Sequence, residues 1–296
     1  MKLEFQHIGS MSSWSGRAGV VLVALLAITT ATADIAHAVD CTPGLYGTSY
    51  DGRDDPAIFY SINITNGIGT RVGPTGFNRI SAMDVDPTSG ILYAVAERPS
   101  DRQKVLISID RLTGAGTQLA ELSFGDNPEG KENIAGMSFD SSGTLYGYGS
   151  WDQGFYTIDV SAGTITRLGV NNLGAYGNAL AFSPGDTLYH VENEQLNTVD
   201  LTSGLPTLVG LLLFQFFVDE DGVPAMDYGP ETGFYYALVK DGKDGVTQLV
   251  TIDVTPDVTN GYVNVYYIGL TSDNMDGLVY SCDVSDVVFE DGFETP

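Results

Sequence analysis

Histidine and cysteine are almost missing from this chain of 296 residues, which holds three of the first and two of the second. His7 and His37 fall in an N-terminal segment that reads as a removable signal, leaving His190 as the one imidazole and Cys41 and Cys282 as the only thiols. Histidine-rich metal centres and thiolate zinc sites are thereby excluded. A Ser-His-Asp triad would have to use His190, whose place in the pattern described below suits a buried neutral side chain or a ligand contact. Basic residues are also scarce. Thirteen Lys and Arg stand against 38 Asp and Glu, a formal net charge of −25 that repels nucleic acid and anionic lipid. No glycine-rich phosphate loop precedes a helix, and no helical periodicity of useful length occurs outside the N-terminal segment. What remains, 43% hydrophobic and 17% charged with 36 Gly and 12 Pro, is the composition of a folded chain that can bury a substantial core as one or two domains.

At the N-terminus Arg17 precedes the apolar run "AGVVLVALLAITTA", and "AHA" at Ala36 to Ala38 supplies a small-x-small cleavage site. The run is shorter than the roughly 20 residues of a spanning helix. A signal peptide is therefore expected over residues 1–38, initiating at Met1 or Met11, with a secreted or periplasmic product and no stable membrane span after cleavage. An uncleaved anchor is the alternative.

The rest of the chain repeats itself. "FYTIDVSAGTITRLG" from Phe155 is echoed by "FYSINITNGIGTRVG" from Phe59, "LISIDRLTGAGTQLA" from Leu106, "LNTVDLTSGLPTLVG" from Leu196 and a looser "LVTIDVTPDVTNGYVNVYYIG" from Leu249. In four copies an Asp or Asn ends the strand-like run and Gly follows four places later: Asn63 and Gly67, Asp110 and Gly114, Asp159 and Gly163, Asp200 and Gly204. Such acids accept backbone N–H groups in a turn that Gly closes with a positive φ, so they read as turn residues. The fifth copy, with Asp253 and Asp257, departs from the pattern.

Each hairpin is preceded by strand, tight polar turn and strand, as in "AMDVDPTSGILYAVA" and "GMSFDSSGTLYGYG", with a tyrosine early in the second strand. His190 stands where other copies carry Gly47, Ala94, Gly147 and Ala237. Four strands per unit, with marker tyrosines at 46, 93, 146, 189 and 236, predict an all-β, five-bladed β-propeller over residues 39–284. The first copy lacks a first strand and the last segment, "MDGLVYSC", resembles one with nothing after it, so the N- and C-terminal strands are expected to share one blade. The recurring "LY", "[ST]-ID", "TG" and "LG" elements between Cys41 and Cys282 resemble the repeats of secreted bacterial β-propellers, a resemblance that implies fold and little about chemistry. Residues 285–296 form a short acidic tail whose "FEDGFE" resembles the ends of many exported Gram-negative proteins, which implies a sorting or processing role; a plain acidic tail is the other reading.

Candidate chemistry lies where the copies differ. Asn78, Asn133, Asn178, Asp221 and Asn274 each stand at the entrance to a first strand and could converge at one channel mouth to bind a ligand, either sugar hydroxyls or a hard cation such as Ca²⁺. Ordinary loop chemistry explains the same residues. Asp84 and Asp227 occupy equivalent first-strand positions, filled by Ser138, Ala181 and Val279 in the other copies, and two carboxylates facing one channel could act as acid and base. The run "LLLFQFFVDEDG", Leu211 to Gly222, reads as buried; exposed, Phe214, Phe216 and Phe217 would form a patch for a partner. Cys41 and Cys282, at the two ends of the array, are expected to form a disulfide across the shared blade. The expectation is a non-catalytic binding or scaffold module for a protein or glycan, with no resident cofactor. The alternative is a channel-centred hydrolase, carbohydrate-active, using Asp84 and Asp227.

Overall fold

A computed structural model of the chain describes residues 42–49, 55–124, 134–170, 173, 177–214, 222–240 and 247–283. The chain divides into two compact units, Met1–Ala38 and Val39–Pro296, and all of these residues belong to the second. Among them no helix is long and apolar enough to cross a membrane.

Twenty strands follow one another. β1 (Thr42–Ser49), β2 (Ile58–Ile62) and β3 (Gly69–Pro74) come first; then β4 (Asn78–Val85), β5 (Leu92–Glu97), β6 (Lys104–Ile109) and β7 (Gly116–Glu121). Next are β8 (Ile134–Phe139), β9 (Leu145–Gly149), β10 (Gly154–Ile158) and β11 (Ile165–Val170), followed by β12 (Ala179–Phe182), β13 (Leu188–Glu192), β14 (Gln195–Val199) and β15 (Pro206–Phe214). The last are β16 (Ala225–Gly229), β17 (Phe234–Lys240), β18 (Thr247–Ile252), β19 (Tyr262–Leu270) and β20 (Met275–Asp283). Each consecutive set of four is an antiparallel meander, and β20 returns to pair with β1 so that the first and last strands complete one blade in the order β20-β1-β2-β3. First strands touch in cyclic order: β20 to β4, β4 to β8, β8 to β12, β12 to β16, and β16 back to β20. The fold is a closed β-propeller.

Closure follows from where the apolar side chains go. A four-stranded meander has two faces to bury and cannot cover either alone. Five apolar clusters fill the gaps between neighbouring blades. One packs Tyr46 and Phe59 of the first blade against Ile80 and Ile107 of the second, and another packs Leu238 and Leu249 of the fifth blade against Leu45 and Leu278 of the first. Strands between two such gaps are buried on both faces, as in β5, where Leu92 to Glu97 are all buried. The marker tyrosines work at these gaps. Each pairs with the same first-strand position, Tyr93 with Asp84, Tyr146 with Ser138, Tyr189 with Ala181, Tyr236 with Asp227 and Tyr46 with Val279. Four of them pack on a ring of the next blade: Tyr93 on Phe139 and Tyr146 on Phe182 at 5.3 Å, Tyr189 on Tyr235 at 5.5 Å, and Tyr236 on Tyr280 at 5.6 Å.

The recurring hairpin joins one blade to the next. Its Asx turn forms as expected: Asp110 Oδ1 accepts the N–H groups of Leu112 and Thr113, its carbonyl accepts that of Gly114, and Asn63, Asp159 and Asp200 do the same work in their own copies. The closed turn then lodges against a glycine in the outermost strand of the preceding blade. A Cβ on Gly73 would lie 2.0 Å from the Thr113 carbonyl oxygen, one on Gly169 1.8 Å from that of Ser203, and one on Gly269 2.0 Å from that of Asn66. The glycine near the end of β3, β11 and β19 is therefore a steric socket for a backbone turn, a place that Ala120 takes in β7. In the irregular fifth copy the turn is displaced by four residues: Asp257 accepts the N–H of Thr259 at Oδ1 and that of Gly261 at its carbonyl, and Gly261 has φ +75.

Between the fourth and fifth blades the outermost strands also pair in parallel, Leu211 to Phe214 against Tyr262 to Val265. The expected burial of "LLLF" holds on one face only. Leu212 is buried, Phe214 packs on the core partly covered, and Leu211 and Leu213 are exposed. Residues 215–221, with Phe216 and Phe217, lie outside the described residues.

Candidate functional site

The first strands end at one face of the ring, where a cavity of about 440 Å³ opens. Its floor holds Asp84 at the end of β4 and Asp227 in β16, and its walls include Phe139, Phe182, Tyr228 and Tyr280. Deeper along the axis the space narrows to a void of about 10 Å³, lined by Met83, Met137, Leu180, Met226 and Leu278 among others. That is about the volume one water probe occupies. Each blade contributes one long apolar residue to the lining of this small void beneath the cup.

The two aspartates are held by the backbone around them. Asp84 Oδ1 accepts the N–H of Val85 and Oδ2 that of Phe139 on the next blade, both at 2.7 Å. Asp227 repeats the arrangement, Oδ1 accepting from Tyr228 at 2.7 Å and Oδ2 from Tyr280 on the next blade at 2.6 Å. Ser138 Oγ accepts the N–H of Phe182 at 3.2 Å. These five N–H groups occupy the same position in the five first strands, one past the site filled by Asp84, Ser138, Ala181, Asp227 and Val279. Ala181 and Val279 have no acceptor to offer the following blade, and there the aspartate of that following blade turns an oxygen on its own neighbour. Two carboxylates and one hydroxyl supply five acceptors for five buried donors.

Electrostatics set the floor apart from the rim. Burial, above all, pushes Asp84 up to about 6 against the pull of its N–H donors and the Ser138 hydroxyl, and the nearby charge of Asp86 adds to the rise. Burial and then the charge of Asp84 raise Asp227 well above the usual carboxylate range. At the rim, Asp86 is partly desolvated, yet hydrogen bonds from Ser89 and Thr88 hold it below that range. Hydrogen bonds from Ser141 across the blade gap do the same for Asp186.

The amide set expected to converge on a ligand lies at the other end of the first strands. Asn78 opens β4 opposite Glu97 and is buried; Asn178 precedes β12 and donates its N–H to the Val223 carbonyl; Asn274 precedes β20 and donates its N–H to Asp273 Oδ1. Asn133 and Asp221 lie outside the described residues. Among the described residues no group of three or more His, Cys, Asp or Glu is disposed to hold a metal. His190 is fully buried between the third and fourth blades, its Nδ1 donating to the Ala179 carbonyl and its ring 4.4 Å from that of Tyr148, and it lines neither the cup nor the void below. Cys41 lies outside the described residues, as does the side chain of Cys282.

Sequence reasoning missed the rim and walls of the cup. Asp86, Asp140 and Asp186 stand in the turns after first strands, segments such as "DPTSG" and "DSSG" that read as polar connections. The signal was present, since these turns follow the equivalent positions of Asp84 and Asp227 directly.

No protein-family model matches the chain, and no curated protein matches its sequence. Among solved structures it is similar to a chain of the nidogen/laminin complex, with 8% identity and a TM-score of 0.49 over 81% of this chain and 98% of that one. It is also similar to TolB from Acinetobacter baumannii, with 11% identity and a TM-score of 0.43 over 75% of this chain and 52% of that one. A third similarity is to a putative 6-phosphogluconolactonase from Bacteroides fragilis, with 12% identity and a TM-score of 0.42 over 82% of this chain and 99% of that one.

Proposed function

We propose that this protein is an exported, non-catalytic binding module whose ligand seat is the cup around Asp84 and Asp227. The observation that carries this reading is that all four carboxylate oxygens accept backbone N–H groups at 2.6 to 2.7 Å at the edge of a cavity of about 440 Å³. Such carboxylates are fixed recognition and joining elements. A ligand group of one or two rings' width fits a cup with four aromatic residues in its walls and polar atoms at its floor. Export rests on the leader-like residues 1–38 and secretion or a periplasmic location follows from it.

The experiment is a glycan and peptide screen on the purified exported protein, read by melting temperature, alongside the variant Ser141→Trp. Ser141 is an exposed residue lining the cup, so tryptophan there obstructs the mouth without touching the floor. A ligand that raises the melting temperature of the parent and not of the variant supports the reading; ligands that stabilise both equally place the site elsewhere.

Hydrolysis is the second reading, favoured by the placing of two carboxylates in one cavity, where burial holds both above the usual range. It requires turnover of a glycoside that Asp227→Asn abolishes.

The same proposal includes a Cys41–Cys282 disulfide at the shared blade. In the described register Pro43 stands opposite Cys282. Cys41 precedes Pro43 by two residues in the chain. Mass spectrometry of the non-reduced exported protein should find the two cysteine peptides linked; two free thiols would remove the bridge.

A further inference from the structure

Asp84 is buried and Asp227 partly so, and neither has a cationic neighbour: among the described residues no Lys, Arg or His forms an ion pair with either. Arg111, the one basic residue lining the cup, donates Nη2 to the Gly90 carbonyl instead. Buried charges in proteins are ordinarily paired or coordinated, because leaving water is costly for an ion without a partner. The backbone N–H groups supply dipoles, and each carboxylate oxygen keeps a further lone pair.

Resting on the reading that the cup is the ligand seat, we propose that it takes an alkylammonium group, with the nitrogen between Asp84 and Asp227 and the methylenes along the aromatic walls. Three considerations select this chemistry. A metal ion wants six or more oxygen ligands, and no cluster of three acidic or imidazole ligands is present among the described residues. An ammonium has three donors that match a floor of two carboxylates and the Ser138 hydroxyl. Phe139, Phe182 and Tyr228 are among the residues lining the cup and give it an apolar wall for an alkyl stem. The formal net charge of −25 raises the local concentration of any cation.

The same ammonium chemistry is offered by a free amine and by a lysine side chain of a protein partner, and the test separates them. The exported protein is titrated calorimetrically at about pH 7.5 with n-butylammonium, with neutral 1-butanol of similar shape, and with the peptides Gly-Lys-Gly and Gly-Gln-Gly. Binding of the amine or the lysine peptide is expected, without heat from butanol or the glutamine peptide. Binding of the peptide alone assigns a protein partner, and binding of both admits free amines. Asp227→Asn should weaken the interaction about tenfold or more, the weight of one charge-assisted contact. Should that variant fail to fold by circular dichroism, Ser141→Trp serves instead and should abolish binding.

Lowering the pH to about 5 should also weaken binding. Of the groups that line the cup beside the floor pair, which also include Asp140 and Arg111, Asp86 and Asp186 are held low by hydrogen bonds; the change is assigned to the floor pair if its pH dependence shrinks in Asp227→Asn. Equal affinity for amine and alcohol, or amine binding that persists in a folded Asp227→Asn protein, overturns the proposal. If amines fail and a neutral saccharide binds in a way that Ser141→Trp blocks, the ammonium inference is wrong and the cup remains the site. If nothing binds in a way that Ser141→Trp blocks, both fall.

Discussion

Thermal stability is expected to peak near pH 4 and to fall by several degrees between pH 4 and pH 7. Asp84 holds its proton more tightly in the folded protein than in the unfolded chain, its value rising from 3.8 to about 6. A raised folded value means that the stability linked to the proton is complete below the unfolded value and lost as pH climbs through the folded one. For a shift of this size the loss is on the order of 3 kcal/mol between about pH 4 and pH 7. Asp227, raised by burial and by Asp84, adds a loss of the same sign. The acidic side of the optimum has a different origin. Asp110, Asp159, Asp200 and Asp257 are held low by hydrogen bonds in their turns, so they favour folding above about pH 4 and cease to do so as they are protonated. Calorimetric scans at constant ionic strength across this range measure the profile. Asp84→Asn should flatten its alkaline limb; a parent protein whose stability rises steadily from pH 4 to pH 7 would show that the floor acids are not desolvated.

Gly269→Val should cost more than about 3 kcal/mol and leave the ring open between the fifth and first blades. Its Cβ would stand 2.0 Å from the Asn66 carbonyl oxygen and 2.6 Å from the carbonyl carbon, both backbone atoms of a closed turn. No rotamer change relieves such a contact, so the turn must back away. That separates Leu249 and Leu238 from Leu45 and Leu278, which share the cluster behind it. Overpacking by a single group ordinarily costs about 1 to 3 kcal/mol, and loss of the adjoining apolar contacts adds to it. Gly185→Ala is the control, since its nearest neighbour would be Ser183 Oγ at 3.9 Å, and it should leave stability unchanged. Denaturant unfolding of the two variants checks the pair. Hydrogen exchange should show β1 and β19 losing protection first in Gly269→Val; equal midpoints for both variants would contradict the socket account.

Much of the architecture was legible because its markers are local. An Asx turn is formed by an acid and residues two to four places on, and a marker tyrosine takes its register from its own strand, so both leave a trace at fixed spacing. The pairing of β20 with β1 was legible for the same reason: the missing first strand and the orphan last one complete each other. The site was harder to read. Equivalence of Asp84 and Asp227 could be seen by aligning copies, but the partners of their oxygens, Phe139 and Tyr280, belong to other blades and leave no mark in the local sequence. The choice of mouth was equally hidden, since Asn, Asp and Gly are common in loops at either end of a strand. The displaced turn at Asp257 shows how an insertion breaks the period while preserving the chemistry.

The most direct measurement of the central claim is the titration of the Asp84 and Asp227 carboxyl carbons by nuclear magnetic resonance. Two acids that share the floor of one cup, each fixed by two backbone donors and lacking a cationic partner, should titrate as a coupled pair. One step is expected near 6 and the other well above the ordinary carboxylate range, and both should shift down when an alkylammonium occupies the cup. Two independent titrations in the ordinary carboxylate range near 3.8, unchanged by any ligand, would contradict the account.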